Sequence, residues 1–185
     1  MRLYRQTVED FGLYAGREFS SEELKNLRIA AGEVSAKMRA VRIVSASSVS
    51  KSDLERRLVQ KGESKKDAVK AVEWMSQMGL VDDEKTAQQI IQHCISKGYG
   101  PARARQVLYE KQIPKEYWDA ALADYPEQMD KILSFLTAHL GNSREQKDIR
   151  RVTDALLRRG HSYMQIRRAL QQYLEDLDPL EEEYG

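Results

Sequence analysis

The chain has little of what several protein classes require. Its 185 residues include one cysteine, four prolines, ten glycines and three phenylalanines. A single cysteine excludes an internal disulfide framework and fits a reducing compartment. So few prolines and glycines argue against a turn-rich β-sandwich. No apolar run approaches the roughly 20 residues of a membrane-spanning helix, and the N-terminus, MRLYRQTVED, lacks the apolar stretch of a signal peptide. We therefore expect a cytoplasmic protein.

Motifs of common enzyme chemistry are also missing. The sequence has no glycine-rich phosphate-binding loop, and the Gly98-Tyr99-Gly100 turn lacks the third glycine and preceding strand of a dinucleotide fingerprint. Adjacent helical residues such as His93 and Cys94 point about 100° apart and cannot converge on one metal ion. Cys94 lies on an apolar stripe, which favours a buried thiol, and Asp82-Asp83 is placed to cap a helix. We predict a non-enzymatic protein with no metal and no cofactor.

Helix-forming residues are abundant, and the apolar residues recur with helical periodicity. Apolar residues make up 41% and charged residues 32%, which is typical of a folded, soluble chain. The clearest amphipathic stripe starts at Ala87 and continues at helical spacing to Ile95. Serines suited to cap helices precede several stripes, and glycines suited to end them follow. The caps are Ser20, Ser50 or Ser52, Ser64 and Ser162, and the stops are Gly62, Gly79, Gly98, Gly141 and Gly160.

The helical pattern repeats with a period near 50 residues. Each round has a leucine one turn before a helix stop, a cap two residues after the stop, and an apolar residue eight positions later. The aligned sets are Leu58, Gly62, Ser64 and Val72; Leu108, Gln112, Pro114 and Leu122; and Leu156, Gly160, Ser162 and Leu170. A period of this length with three short helices predicts a tandem array of three-helix units.

We therefore predict an all-α fold, a tandem array of three three-helix repeats, elongated and curved, with a short irregular N-terminal segment. The expected boundaries are an N-terminal extension over 1–35, repeats over 36–80, 81–125 and 126–174, and an acidic tail over 175–185. The extension is predicted to hold a short strand or loop and then one helix near 20–31.

Charge is unevenly distributed although the net charge is only +1. Residues 36–80 carry a net +5, residues 126–174 carry +4, and the tail carries six acids and no base. Basic zones suit an anionic partner, either nucleic acid or an acidic protein surface. The alternative is that these charges only solvate helix faces.

The middle round resembles the RecX family of RecA regulators. The resemblance is carried by Gly79-Leu80-Val81-Asp82-Asp83, by Lys97-Gly98-Tyr99-Gly100-Pro101-Ala102-Arg103, and by the following Val107-Leu108 and Lys111-Gln112-Ile113. It covers about 45 residues closely, and the flanking rounds match more loosely through Ser50 to Leu54 and Lys61-Gly62. Family members usually have glycine where Gln112 stands, and an arginine often found shortly before the Ser50 cap is absent here.

The resemblance implies three tandem three-helix repeats without catalysis. It also implies binding to the RecA–DNA filament within its helical groove, modulation of strand exchange and nucleotide hydrolysis, and weaker binding to single- or double-stranded DNA. The effect is inhibitory in most members. We expect a monomer.

Candidate binding residues come from the second and third rounds. They are Lys97, Tyr99, Arg103, Arg105 and Lys111, and then Arg150, Arg151, Arg158, Arg159, Arg167 and Arg168. Tyr99 could stack on a base or fill a notch on a partner, or it could pack across the turn. Arginine suits bidentate contact with phosphate or carboxylate, although solvation and pairing with Asp148 and Asp154 are the alternative. Cations of the first round, among them Arg56 and Arg57, are interpreted as plain surface charge.

Two other functions are compatible with the sequence. One is a helical DNA-binding protein that acts without a recombinase, since three-helix units resemble helix-turn-helix modules. The other is a scaffold for an unrelated partner. The acidic tail is hypothesised to shield the arginine face or to repel free DNA.

Overall fold

A computed structural model describes residues 3–177 of the chain. The ordered elements in this range are ten α-helices and one 3-10 turn, which confirms the predicted all-α class. The helices are α1 (Arg5–Asp10), α2 (Ser21–Ala46), α3 (Lys51–Gln60), α4 (Lys65–Gln77), α5 (Asp83–Ser96), α6 (Pro101–Glu110), α7 (Trp118–Leu122), α8 (Met129–His139), α9 (Gln146–Arg158) and α10 (Tyr163–Asp176), and the 3-10 turn is Lys115–Tyr117. Between residues 3 and 177, no helix has both the length and the apolar character to cross a membrane.

Helix ends follow the predicted caps. The side chains of Ser20, Ser50, Ser64 and Ser162 each accept a hydrogen bond from the backbone N–H three residues on, and Ser20 and Ser162 form complete capping boxes. The five predicted glycine stops all have positive φ. At the stop after α6, Gln112 takes this conformation with φ 55°.

The N-terminal extension differs from its prediction. The strand alternative is wrong, because Arg5–Asp10 forms a short helix, and the helix expected near 20–31 continues to Ala46. No proline interrupts it, and Gly32 lies inside it at a close crossing, where a Cβ would sit 2.8 Å from Oδ2 of Asp67. Of the predicted acidic tail, residues 175–177 are described and 178–185 lie outside the described range.

The described chain forms two compact units. The N-terminal unit comprises the chain up to Thr86 together with Lys111–Ile113, and the C-terminal unit comprises Ala87–Glu110 and the chain from Pro114 onward. In the N-terminal unit α2 packs on α3 and α4, around a core that includes Ala36, Ala40, Leu54, Leu58, Ala68, Ala71 and Met75. In the C-terminal unit α8, α9 and α10 pack together around Ile132, Leu136, Val152, Leu156, Ile166 and Ala169.

Candidate binding surface

Two helix-connecting turns of the C-terminal unit interlock. One is Gly98–Gly100, after α5, and the other is Arg159–His161, after α9. We call this contact the turn clasp. The backbone N–H of Gly100 donates to the Arg159 carbonyl at 2.8 Å, and that of Ala102 donates to the Gly160 carbonyl at 3.3 Å. These main-chain bonds join the predicted second and third rounds.

Gly100 and Gly160 of the turn clasp leave no room for a side chain. A Cβ on Gly100 would lie 2.1 Å from the Gly160 carbonyl oxygen, and a Cβ on Gly160 would lie 2.2 Å from the Arg103 nitrogen. Gly160 also has φ 89°, in the left-handed region. The clasp therefore requires glycine at both positions for steric reasons.

Arg159 belongs to the clasp and not to the free surface. Its Nη2 donates to the Lys97 carbonyl at 2.7 Å. Its guanidinium lies 5.2 Å from the ring centre of Tyr99 and 5.3 Å from that of Phe135, within cation–π range. Tyr99 is consequently half-buried rather than exposed, and its carbonyl accepts bonds from Tyr125 Oη at 2.5 Å and Gln128 Nε2 at 3.0 Å.

Two titratable groups, buried His161 and half-buried Tyr125, lie at the clasp. His161 is 4% exposed, and its Nε2 lies 3.1 Å from the Gly98 carbonyl, which assigns the proton to Nε2. Burial, followed by the nearby Arg159 charge, lowers the pKa of His161 despite the bond to Gly98. Burial raises the pKa of Tyr125 to about 12. With these pKa shifts, both groups are uncharged at neutral pH.

A groove runs between α9 and α10 on the C-terminal unit. This α9–α10 groove has a volume of about 520 Å³ and is lined by Gln146, Ile149, Arg150, Thr153, Asp154, Leu157, Tyr163, Ile166, Arg167 and Leu170. Leu157, which follows the buried Leu156, is 42% exposed here. Tyr163 and the adjoining Met164 are 64% and 80% exposed. The groove thus combines an apolar floor with cationic side chains.

The arginines predicted in the third round fall into three groups. Arg151 pairs with Asp148 at 3.2 Å and Arg168 pairs with Glu127 at 3.7 Å. Arg159 is held in the turn clasp. The third group is exposed and has no ion-pair partner among residues 3–177; its members are Arg150, Arg158 and Arg167. These three are the arginines available to a partner.

The predicted residues of the second round do not form one cluster. Arg103 pairs with Glu110 at 3.1 Å, while Arg105 is exposed on the same helix with no ion pair in the described part of the chain. The Lys97 side chain is exposed. Lys111 belongs to the N-terminal unit, where its carbonyl accepts a bond from Ser50 Oγ at 2.8 Å.

A cationic pocket in the N-terminal unit was not predicted. It lies between α2 and α3, has a volume of about 550 Å³ and is lined by Arg39, Arg42, Ile43, Ala46, Ser47, Arg57 and Lys61. Its arginines come from helices whose charges look like ordinary solvated faces in the sequence. Only the crossing of the two helices brings them together, so no local pattern could have identified them.

The remaining chemical groups fit structural roles. Cys94 is buried as predicted, and burial raises the pKa of its thiol. Asp82 Oδ1 accepts a bond from the Lys85 N–H, which lowers the pKa of that carboxyl, in agreement with the predicted cap. Asp83 instead accepts a bond from the Lys51 N–H at 2.8 Å, at the start of α3. Residues 3–177 contain no group of three metal-binding side chains.

Comparisons with known proteins point to one family. A family model described as the second three-helix domain of RecX matches residues 82–122. The regulatory protein RecX of Vibrio vulnificus (strain CMCP6) is 29% identical over 140 residues, which cover 74% of this chain and 92% of that protein. RecX of Shigella dysenteriae serotype 1 (strain Sd197) is 33% identical over 96 residues, covering 46% of this chain and 58% of that protein.

Solved structures share the fold. A crystal structure of a regulatory protein RecX superposes with a TM-score of 0.68 at 19% identity, covering 94% of this chain and 86% of the other. The crystal structure of RecX from Lactobacillus salivarius has a TM-score of 0.66 at 18% identity and covers 80% of this chain and 99% of the other. At these identities the likeness supports the fold alone.

Proposed function

Because the chain belongs to the RecX family of regulatory proteins, we propose that it binds the RecA–DNA filament and lowers recombinase and ATPase activity. It thereby regulates DNA repair and recombination. It acts by binding, with no catalytic step of its own. The observation that carries the proposal is the α9–α10 groove, an apolar surface bordered by arginines that have no ion-pair partner within residues 3–177.

The composition of the groove favours a protein partner. Ile149, Leu157 and Leu170 offer apolar area, and burying it against a partner would stabilise a complex by roughly 25 cal/mol per Å². Arg150 and Arg167 supply forked donors that fit carboxylates. Asp154, which also lines the groove, would repel a nucleic-acid phosphate more than it would repel an amphipathic protein segment. An acidic, partly apolar surface on the recombinase subunits is the partner chemistry that fits.

Occupation of the filament groove explains how a non-catalytic protein could inhibit. A helical body seated there blocks the entry of a second duplex and perturbs contacts between recombinase subunits. Disturbed subunit contacts would lower the rate of ATP hydrolysis by the filament without any chemistry by the regulator. This mechanism needs direct contact with protein subunits, which the α9–α10 groove would make.

The test is RecA-dependent ATP hydrolysis on single-stranded DNA with this protein added at substoichiometric levels. We expect the rate to fall, and we expect the R150E/R167E variant to need about tenfold more protein for the same inhibition, since two partner contacts are reversed. The matched control is K25E/R28E, which makes the same charge change at exposed positions of α2.

Inhibition by the control should equal that of the unmodified protein. Absence of any rate change at stoichiometric excess, with circular dichroism showing a folded protein, would contradict the proposal. Equal weakening in both double variants would assign the effect to net charge and not to the groove.

A further inference from the structure

The α2–α3 pocket of the N-terminal unit contains arginines that are held in place by acids outside its lining. Nε of Arg39 lies 2.7 Å from Oε1 of Glu63, and Nη1 of Arg39 donates to the Lys61 carbonyl at 3.0 Å. The Glu63 side chain is only 7% exposed and also accepts a bond from Ser35 Oγ at 2.9 Å. The Arg39 guanidinium is therefore held in place by these two contacts.

Arg57 is anchored in the same way. Its Nη2 lies 2.8 Å from Oδ2 of Asp53, and its Nη1 lies 3.5 Å from Ser47 Oγ. The Asp53 side chain is 1% exposed and also pairs with Arg56. A carboxylate this deeply buried requires cationic partners, so the arginines cannot leave it without a large cost. The sequence-based interpretation of Arg56 and Arg57 as plain surface charge misses this arrangement.

Two further cations border the pocket without partners of their own. The side chains of Arg42 and Lys61 are exposed and have no ion pair with any residue between 3 and 177. The floor is apolar, formed by Ile43 and Ala46. Among residues 3–177, no carboxylate lines the pocket. The pocket thus combines two guanidinium groups held by carboxylates, two cations with no ion pair among residues 3–177, and an apolar floor.

We propose that the α2–α3 pocket binds a backbone phosphate of a nucleic-acid strand, with the adjoining sugar or base against Ile43 and Ala46. Guanidinium forks suit phosphate oxygens, and donors already fixed in place lose little conformational entropy on binding. Two fixed guanidinium donors and two cations that are uncompensated within the described chain surround one small space, and they match a compact phosphate better than a dispersed acidic protein surface. The proposal adds a nucleic-acid contact in the N-terminal unit to the protein contact inferred for the α9–α10 groove.

The experiment measures binding of a dye-labelled oligothymidine strand by fluorescence anisotropy, without any recombinase. The informative variant is R42E/K61E, because both side chains are exposed and form no ion pair within residues 3–177, so the fold does not depend on them. We expect binding to weaken about tenfold or more near physiological salt. We also expect the plot of log K against log salt to become shallower by about 0.7, the value for one lost phosphate contact on a single strand. The matched control is K25E/R28E, which carries the same charge change at exposed positions of α2 outside the pocket.

The control should keep the original salt slope. Equal losses of affinity and slope in the two double variants would overturn the proposal, since binding would then follow net charge alone. Full displacement of the strand by ATP or inorganic phosphate at equal phosphate concentration would also overturn it, by identifying a small phosphate ligand. Because recombinase is absent, failure here leaves the filament-binding proposal untouched, and the ATPase assay can fail independently.

Discussion

Gln112 ends α6 in a backbone conformation that a side chain makes costly. Its φ of 55° is the only positive value for a non-glycine residue between residues 3 and 177. Relatives with glycine at this stop would avoid the cost. We expect Gln112→Gly to raise the free energy of unfolding by about 0.5–1 kcal/mol, measured by urea denaturation.

The control for this substitution is Gln106→Gly. Gln106 is exposed in the interior of α6, where glycine should destabilise by about 1 kcal/mol. If Gln112→Gly were as destabilising as the control, strain at the α6 stop would be the wrong explanation of this conformation.

His161 makes the stability of the turn clasp depend on pH. The pKa of His161 in the folded protein lies below the ordinary 6.5. Below about pH 6.5, His161 therefore binds a proton in the unfolded chain more readily than in the folded protein. Stability should therefore be full above this pH and fall as the pH drops toward the folded-state pKa. We expect the melting temperature to decline between about pH 7 and pH 5.

The variant His161→Asn tests the assignment, because asparagine keeps a donor for Gly98 and does not titrate. Its melting temperature should change less over the same range. The pKa values of Glu23 and Glu33 are lowered from 4.5, by Ser20 and Lys70 respectively, so these acids titrate below this window. An equal pH slope in the variant would exclude His161 as the cause.

Residue identity alone does not distinguish a structural arginine from a free one. Arg158 and Arg159 are neighbours of one type, yet Arg158 is exposed and Arg159 is held by Lys97 and two aromatic rings. The serine caps and glycine stops were predictable because each acts on its own helix end. The partners of Arg159 lie over 20 residues away and come together only in the fold.

At the scale of elements, the turn clasp should be sensitive to one added methyl group. Gly160 and Gly62 have nearly equal φ, 89° and 93°, but a Cβ at Gly62 would meet nothing within 4 Å. Gly62→Ala should therefore cost only the backbone strain, about 1 kcal/mol, and Gly160→Ala roughly 3 kcal/mol or more, because main-chain atoms must move. Thermal and urea unfolding of both variants measures the difference.

Gly100→Ala is a second test of the steric effect. Gly100 does not have positive φ, so a side chain there would clash with the Gly160 carbonyl without adding backbone strain. Its loss of unfolding free energy should be similar to that of Gly160→Ala. Equal costs at Gly62 and Gly160 would mean that the two turns separate easily.

Most helices were predictable from periodicity, and the exceptions have physical causes. The length of α2 was not predictable, because a glycine such as Gly32 usually disfavours a helix. Here Gly32 is accommodated at the point where α2 passes close to Asp67. Leu157 fits the apolar stripe of α9 yet lines the α9–α10 groove. Periodicity identifies an apolar face, but it does not show where a neighbouring helix stops covering that face.

At the scale of the whole molecule, the acidic residues 178–185 should weaken binding to naked DNA. Deleting them raises the net charge from +1 to +5. We expect the deletion to increase affinity for single-stranded DNA severalfold at low salt, with the gain fading as salt screens the charges. Anisotropy titrations at several salt concentrations measure this.

A full-length variant with the four acids of this segment changed to amides separates charge from length. It should bind as tightly as the deletion. Unchanged affinity in both proteins would remove the hypothesis that the tail shields the arginines.

The three-repeat boundaries remain a prediction, because the two compact units divide the chain differently. The division passes through α5 after Thr86 and assigns Lys111–Ile113 to the N-terminal unit. Bonds from Lys51 to Asp83 and from Ser50 to Lys111 account for this. A period in the sequence shows which segments are alike, whereas these bonds between backbone and side chain decide which segments hold together.

The turn clasp has a consequence for how far such a chain can diverge. Its main-chain bonds, from Gly100 to Arg159 and from Ala102 to Gly160, use atoms that every non-proline residue carries. Substitution elsewhere can proceed without disturbing them, provided that two positions stay without a side chain. A junction of this kind lets lineages exchange most of their surface, including the cations that meet a partner, while the helices keep their arrangement.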